Sequence, residues 1–157
     1  MRGVWWICMA LFAVACLGCG DGRPKRVPIA GKVMIDGKPL ERGFIQVIAS
    51  DNRPATGEIG QDGSFKLTTF DDNDGCVLGN HKVTVIANEN QGPYALKWHA
   101  PKEYSDVATT DVMLDVTGPR EDVVIELSWK GGAPFVEKFE NEGTPPSASP
   151  DAATESK

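Results

Sequence analysis

Residues 29–38 read IAGKVMIDGK, and this stretch decides the fold class of the chain. Ile29, Val33 and Ile35 fall on one face of an extended chain, whereas Lys32 lies on the opposite face. Alternation with a period of two residues indicates a β-strand with one buried face. The dipeptide Asp36-Gly37 then marks a tight turn between two strands. The stretch therefore predicts a β-hairpin at the start of the folded part.

Similar apolar segments, most of them alternating with polar residues, recur along the rest of the chain. They occupy residues 44–49, 56–59, 65–69, 81–85, 112–116 and 123–129. Short strands separated by turn signals, without any sustained helical period, are typical of an all-β domain. We therefore predict a single seven-stranded antiparallel β-sandwich of the transthyretin-like or immunoglobulin-like type. The stretch from 90 to 110 is predicted to be an irregular excursion.

The start of the chain has the pattern of a secretory signal peptide. Arg2 is the only charged residue before Cys19, and an almost unbroken apolar run extends from Val4 to Leu17. The run is shorter than the roughly 20 residues that a membrane-spanning helix needs. A short basic start, a short apolar run and small residues before a cleavage point predict export.

Leu17-Gly18-Cys19 resembles the lipobox of bacterial lipoproteins. The resemblance implies that the Cys19 thiol takes a diacylglyceryl group and that cleavage frees its amine for a further acyl chain such as palmitate. Cys16, which follows Ala13-Val14-Ala15, is the alternative lipidation site, and an ordinary signal peptide is the alternative to both. Two or more acyl chains anchor a protein stably. Gly20 after Cys19 favours the outer membrane, because aspartate at that position favours the inner membrane.

Several motifs in the middle of the chain resemble carboxypeptidase regulatory-like (transthyretin-like) domains. They lie at residues 29–33, 36–40, 43–45, 57–59, 62–67 and 79–85. The resemblance covers about residues 27–129 and implies an adhesion, carbohydrate-contact or scaffolding module that is not an enzyme. The glycines in these motifs permit the positive φ angles of turns.

These observations divide the chain into four parts. Residues 1–18 are predicted to be a lipoprotein signal peptide and residues 19–27 a tether. Residues 28–130 are predicted to form the β-sandwich. Residues 131–157 are rich in polar residues and proline, and they are predicted to be a disordered tail because they contain little to bury.

Two residue pairs in the predicted domain are candidates for a site. Trp98 and Tyr104 flank Pro101 in the excursion, and their rings either stack on a sugar or pin the loop to the sandwich. Cys76 and His81 are the only Cys–His pair in the domain, and a thiol nucleophile needs such a base. The alternative is that Cys76 is a buried small apolar residue.

Charge and composition narrow the class of function. The formal net charge is −6, and an acidic chain without a basic stripe is not expected to bind nucleic acid. The acidic run from Asp71 to Asp74 lacks the spacing of an EF-hand, and His99 has no second ligand at metal spacing, so no metal or cofactor is expected. We expect a non-catalytic module that is anchored to the membrane and contacts an envelope protein or polysaccharide.

Overall fold

The computed structural model describes residues 22–49 and 53–139. The predicted signal peptide, the candidate lipidation sites Cys16 and Cys19, and the end of the predicted tail lie outside the described residues.

The described residues form an all-β domain, as the alternating pattern predicts. Each of the predicted strand segments contains or overlaps a strand of the structure. The strands are β1 (Arg26–Val27), β2 (Ile29–Ile35), β3 (Lys38–Pro39), β4 (Phe44–Ile48), β5 (Pro54–Glu58), β6 (Ser64–Lys66), β7 (Cys76–Val77), β8 (Gly79–Ile86), β9 (Asn88–Asn90), β10 (Ala95–Trp98), β11 (Met113–Val116), β12 (Arg120–Leu127) and β13 (Phe135–Lys138), with one 3₁₀ helix at Lys102–Ser105.

Two four-stranded sheets supply most of the core. One sheet has the strand order β11-β8-β4-β5, and the other has β12-β2-β3 with β6 also paired to β2. Their inward side chains, including Val33, Ile45 and Val83, belong to one hydrophobic cluster and are fully buried. Alternating apolar residues therefore face inward from both sheets, which is the physical basis of the period-two pattern.

The pairing of β2 with β12 is parallel, which corrects the prediction of an antiparallel arrangement throughout. Gly31 on β2 faces Val123 on β12, and a Cβ at Gly31 would overlap the carbonyl oxygen of Val123. The glycine therefore allows the two backbones to approach closely. The sequence could not reveal the strand direction, because a period of two residues reads the same in both directions.

Strand directions give the domain two ends. β1 pairs with β7, and β2 and β8 begin directly after these two short strands. We call this the near end, and it includes residues 23–28 and 69–79. We call the opposite end, where β2, β8 and β12 finish, the far end, and it includes residues 36–38, 87–99 and 128–135.

A three-stranded sheet with the order β13-β10-β9 lies at the far end. Strands β9 and β10 and the 3₁₀ helix fall within or beside the predicted irregular excursion. Strand β13 lies beyond residue 130, where the sequence predicts that a disordered tail begins, so the folded part extends to at least Lys138. Phe135 explains the difference, because its ring stacks on Trp98 with 6.5 Å between the ring centroids.

Candidate functional site

A groove with a volume of about 590 Å³ opens at the far end of the domain. The hairpin of β2 and β3 and the residues after it form one side, and residues next to β10, β12 and β13 form the other. We call this the far-end groove, and its lining residues are Ile35, Asp36, Lys38, Pro39, Leu40, Glu41, Arg42, His99, Trp129 and Pro134. Its volume is in the range of small-molecule sites.

Trp129 forms the aromatic wall of the far-end groove, and two contacts fix its position. The Asp36 carboxylate accepts hydrogen bonds from the Ser128 hydroxyl (2.8 Å) and from the backbone N–H of Trp129 (3.3 Å). The ring of Phe135 meets the Trp129 ring edge-on, with 6.5 Å between the centroids. Within the described part of the chain, no acceptor bonds the indole N–H of Trp129. The half-buried indole thus offers a held ring and an available donor.

Asp36 can make these contacts because of the turn that the sequence predicts. Asp36 and Gly37 both have positive φ, 46° and 77°, as the tight hairpin turn requires. The turn projects the Asp36 carboxylate across to the end of β12. The motif that marks the fold therefore also builds one side of the groove.

Three polar side chains at the rim contact one another. The Glu89 carboxylate lies 2.9 Å from the Arg42 guanidinium and 3.1 Å from Nε2 of His99. The hydrogen bond with His99, together with the charge of Arg42, holds the pKa of the Glu89 carboxyl below its usual value. By contrast, Lys38 and Glu41 form no ion pair among residues 22–49 and 53–139. The groove thus presents one unpaired ammonium and one unpaired carboxylate.

Two other depressions, of about 730 and 840 Å³, flank Phe44 on the surface of the large sheets. Phe44 is 55% exposed, and no contact with another aromatic ring or a cation holds it in place within the described residues. Both depressions are larger than the far-end groove. We nevertheless regard the far-end groove as the candidate site, because only there is the aromatic wall fixed by neighbouring side chains.

The structure places Trp98 and Tyr104, the aromatic candidates from the sequence, inside the domain. Trp98 is 6% and Tyr104 is 4% exposed. The indole N–H of Trp98 donates to Glu137 (2.9 Å), and the Tyr104 hydroxyl lies within hydrogen-bond distance of the Ser128 backbone. Both rings fit the alternative that they pin the excursion to the sandwich, and neither ring face is open to a sugar.

Sequence reasoning missed Trp129 because the alternation placed it with the buried residues of the last strand. β12 ends at Leu127. The alternation of the strand therefore no longer determines to which side the Trp129 side chain points. The signal that was available is the pair Gly131-Gly132, which ends the strand pattern and places Trp129 next to a turn.

The structure does not bring Cys76 and His81 together as an accessible thiol and base. Cys76 lies on β7, 1% exposed, within the hydrophobic cluster. His81 is 5% exposed, and its Nε2 lies 3.0 Å from the carbonyl oxygen of Val77. A substrate cannot reach the Cys76 thiol in this arrangement, and Nε2 of the His81 imidazole faces a backbone carbonyl rather than the thiol.

A cluster of charged side chains around Phe70 holds the start of the described chain to the near end. The guanidinium groups of Arg23, Arg26 and Arg53 lie 4.8, 4.6 and 4.1 Å from the centre of the Phe70 ring. Arg26 also pairs with Asp74 at 2.7 Å. We call these five residues the near-end brace. The segment predicted to be a tether is therefore docked on the domain from Arg23 onward.

The acidic loop folds inward onto its own backbone. One carboxylate, that of Asp74, accepts hydrogen bonds from the backbone N–H groups of Thr69 (2.7 Å), Phe70 (3.1 Å) and Asp71 (3.1 Å). Burial raises the pKa of Asp74, but these bonds and Arg26 outweigh that effect and lower it. No group of three potential metal ligands occurs within the described residues.

Comparison with known proteins identifies no relative of this chain. No protein-family model, curated protein or solved structure matches the chain. In the part of the chain that the structure describes, no helix has the length and apolar character needed to cross a bilayer.

Proposed function

We propose that this chain is a lipid-anchored, non-catalytic binding module of the bacterial cell envelope, with a β-sandwich of the carboxypeptidase regulatory-like type. The single observation that carries this proposal is the relative position of the near-end brace and the far-end groove. The brace fixes the segment that follows the predicted lipidation site, and the groove opens at the other end of the strands.

The spacing between the lipid and the brace is short. Cys19 precedes Arg23 by four residues, and a fully extended chain spans at most about 3.6 Å per residue. A lipid on Cys19 therefore lies within about 15 Å of the brace. The seven residues of β2 separate the near end from the far end by roughly 20 Å. The anchor would hold the near end at the bilayer and leave the far-end groove facing away from it.

The arrangement of the polar groups supports binding rather than catalysis. The side chains that a thiol enzyme would use, Cys76 and His81, are buried. Among the residues that the structure describes, the lining of the far-end groove includes His99 but no serine, threonine or cysteine that could act as a nucleophile beside it. A held aromatic ring with a few polar groups around it is typical of a recognition site.

Intact mass of the protein extracted from membranes tests the anchoring. We expect a polypeptide that begins at Cys19 and carries acyl chains, and Cys19→Ala should abolish this form. Cys16→Ala is the matched control and should leave the mass of the acylated protein unchanged, because Cys16 lies in the signal peptide that cleavage removes. A soluble, unacylated wild-type product would contradict the proposal.

A further inference from the structure

We propose that the far-end groove binds uncharged pyranose rings of an envelope glycan, with Trp129 as the stacking surface. The inference rests on the proposed function, because anchoring at the near end leaves the groove open to the space where envelope polymers lie. The ligand class follows from three properties of the groove.

The first property is the held aromatic face. Hydrogen bonding of the Trp129 backbone to Asp36 and the edge contact with Phe135 fix the ring before any ligand arrives. Because the ring is already fixed, packing a ligand on it costs the protein little side-chain entropy. The apolar C–H face of a pyranose ring matches such a surface. The hydroxyl groups of the sugar can accept a hydrogen bond from the indole N–H.

The second property is the balance of charge. The Glu89 carboxylate pairs with the Arg42 guanidinium and bonds Nε2 of His99, and both Asp36 oxygens accept hydrogen bonds. The charged groups left for a ligand are Lys38, a donor, and Glu41, an acceptor. Sugar hydroxyls both donate and accept hydrogen bonds, so they can bond the Lys38 ammonium and the Glu41 carboxylate. A polyanion would meet one cation at the cost of lying beside two carboxylates, Asp36 and Glu41.

The third property separates a glycan from a peptide strand. An extended peptide binds most readily by adding to the edge of a sheet through backbone hydrogen bonds. The strand at this groove is β3, which has two residues, and one of them is Pro39. Proline has no N–H to donate. The groove therefore recognises its ligand through side chains, which suits a sugar.

The experiment measures binding of the detergent-solubilised full-length protein to neutral hexasaccharides, namely cellohexaose, chitohexaose and maltohexaose. Oligouronate and a proline-rich peptide are the competing probes. We expect at least one neutral hexasaccharide to bind, and Trp129→Ala to weaken it about tenfold. Lys38→Ala, whose side chain is exposed, should weaken binding without affecting folding. Phe44→Ala removes an exposed ring outside the groove and should leave binding unchanged.

Three results would overturn the inference. Binding of only the oligouronate or the peptide refutes the ligand class, and no binding by the wild-type protein refutes the site. Equal binding by wild-type, Trp129→Ala and Lys38→Ala proteins places the sugar elsewhere. An unacylated protein that still binds the hexasaccharide through Trp129 refutes the anchoring but not the groove, so the two proposals fail separately.

Discussion

The Asp74 carboxylate organises the acidic loop, because three backbone N–H groups and the Arg26 guanidinium converge on it. The run of Asp71, Asp72, Asn73 and Asp74 predicts a solvated turn that Gly75 ends, and the positive φ of Asn73 and Gly75 fits a turn. Composition cannot tell which of the three carboxylates points inward. That choice depends on where the backbone N–H groups of the loop converge, which is a property of the folded chain.

We expect Asp74→Asn to lower the free energy of unfolding by about 2 kcal/mol at neutral pH. The substitution replaces a charged acceptor of three backbone hydrogen bonds and removes the charge that lies 2.7 Å from the Arg26 guanidinium. Urea unfolding followed by tryptophan fluorescence measures the change. Asp72→Asn is the matched control, because Asp72 is exposed in the same loop and makes no hydrogen bond within the described residues.

The pH dependence of this difference tests its electrostatic origin. Asp74 has a lowered pKa in the folded state, so its stabilisation is complete above the unfolded value of about 3.9 and is lost as the pH falls through the folded value. The wild-type protein and Asp74→Asn should therefore differ most near neutral pH and converge in acid. A constant difference across this range would contradict the role of the carboxylate.

At the scale of the strands, the sequence predicted where most strands lie but not how they pair. The alternation located β2, β4, β8, β11 and β12 because each buries one face against the shared core. It could not assign the parallel direction of β12, since that depends on where the chain crosses between the sheets. It also missed β13, because this short strand is held by Phe135 and Glu137 contacts with Trp98 rather than by alternation of its own.

Gly31→Ala should destabilise the domain by about 3 kcal/mol, because it forces β2 and β12 apart. A Cβ at this position overlaps the backbone of Val123, and backbone atoms in a paired strand cannot move aside. Gly118→Ala is the control, since a Cβ at Gly118 meets nothing within 4 Å and Gly118 has no positive φ. Denaturant midpoints of the two variants provide the measurement. Equal midpoints would show that the parallel pairing tolerates a wider spacing.

The whole molecule is best understood as a body with two unlike ends. The near end holds the chain that leads from the predicted lipid, through ionic and cation–π contacts that composition alone does not reveal. The far end collects residues from separated parts of the sequence, including Asp36, His99 and Trp129, into one groove. The sequence identified the turn that starts this groove, but it could not place Trp129 there, because that position depends on Phe135 and on the end of β12.

If the near-end brace orients the anchored domain, the two ends must lie at different distances from the bilayer. We expect a fluorophore on Asp72→Cys, at the near end, to be quenched strongly by nitroxide headgroup lipids in reconstituted vesicles. The same fluorophore on Gln91→Cys, in the far-end loop, should be quenched weakly, because collisional quenching acts only at close range. Both positions are exposed, and the native Cys76 is buried and should remain unlabelled.

The brace itself supplies the decisive comparison for this orientation. Arg26→Ala removes the shortest ion pair of the near end, that with Asp74 at 2.7 Å, and should loosen the hold of the near-end brace on the residues before β1. Quenching at the two labelled positions should then become more alike, even though acylation at Cys19 is unchanged. If the wild-type protein already shows equal quenching at Asp72→Cys and Gln91→Cys, the anchor does not orient the domain. In that case the far-end groove would be exposed by free rotation about the lipid rather than by the contacts around Phe70.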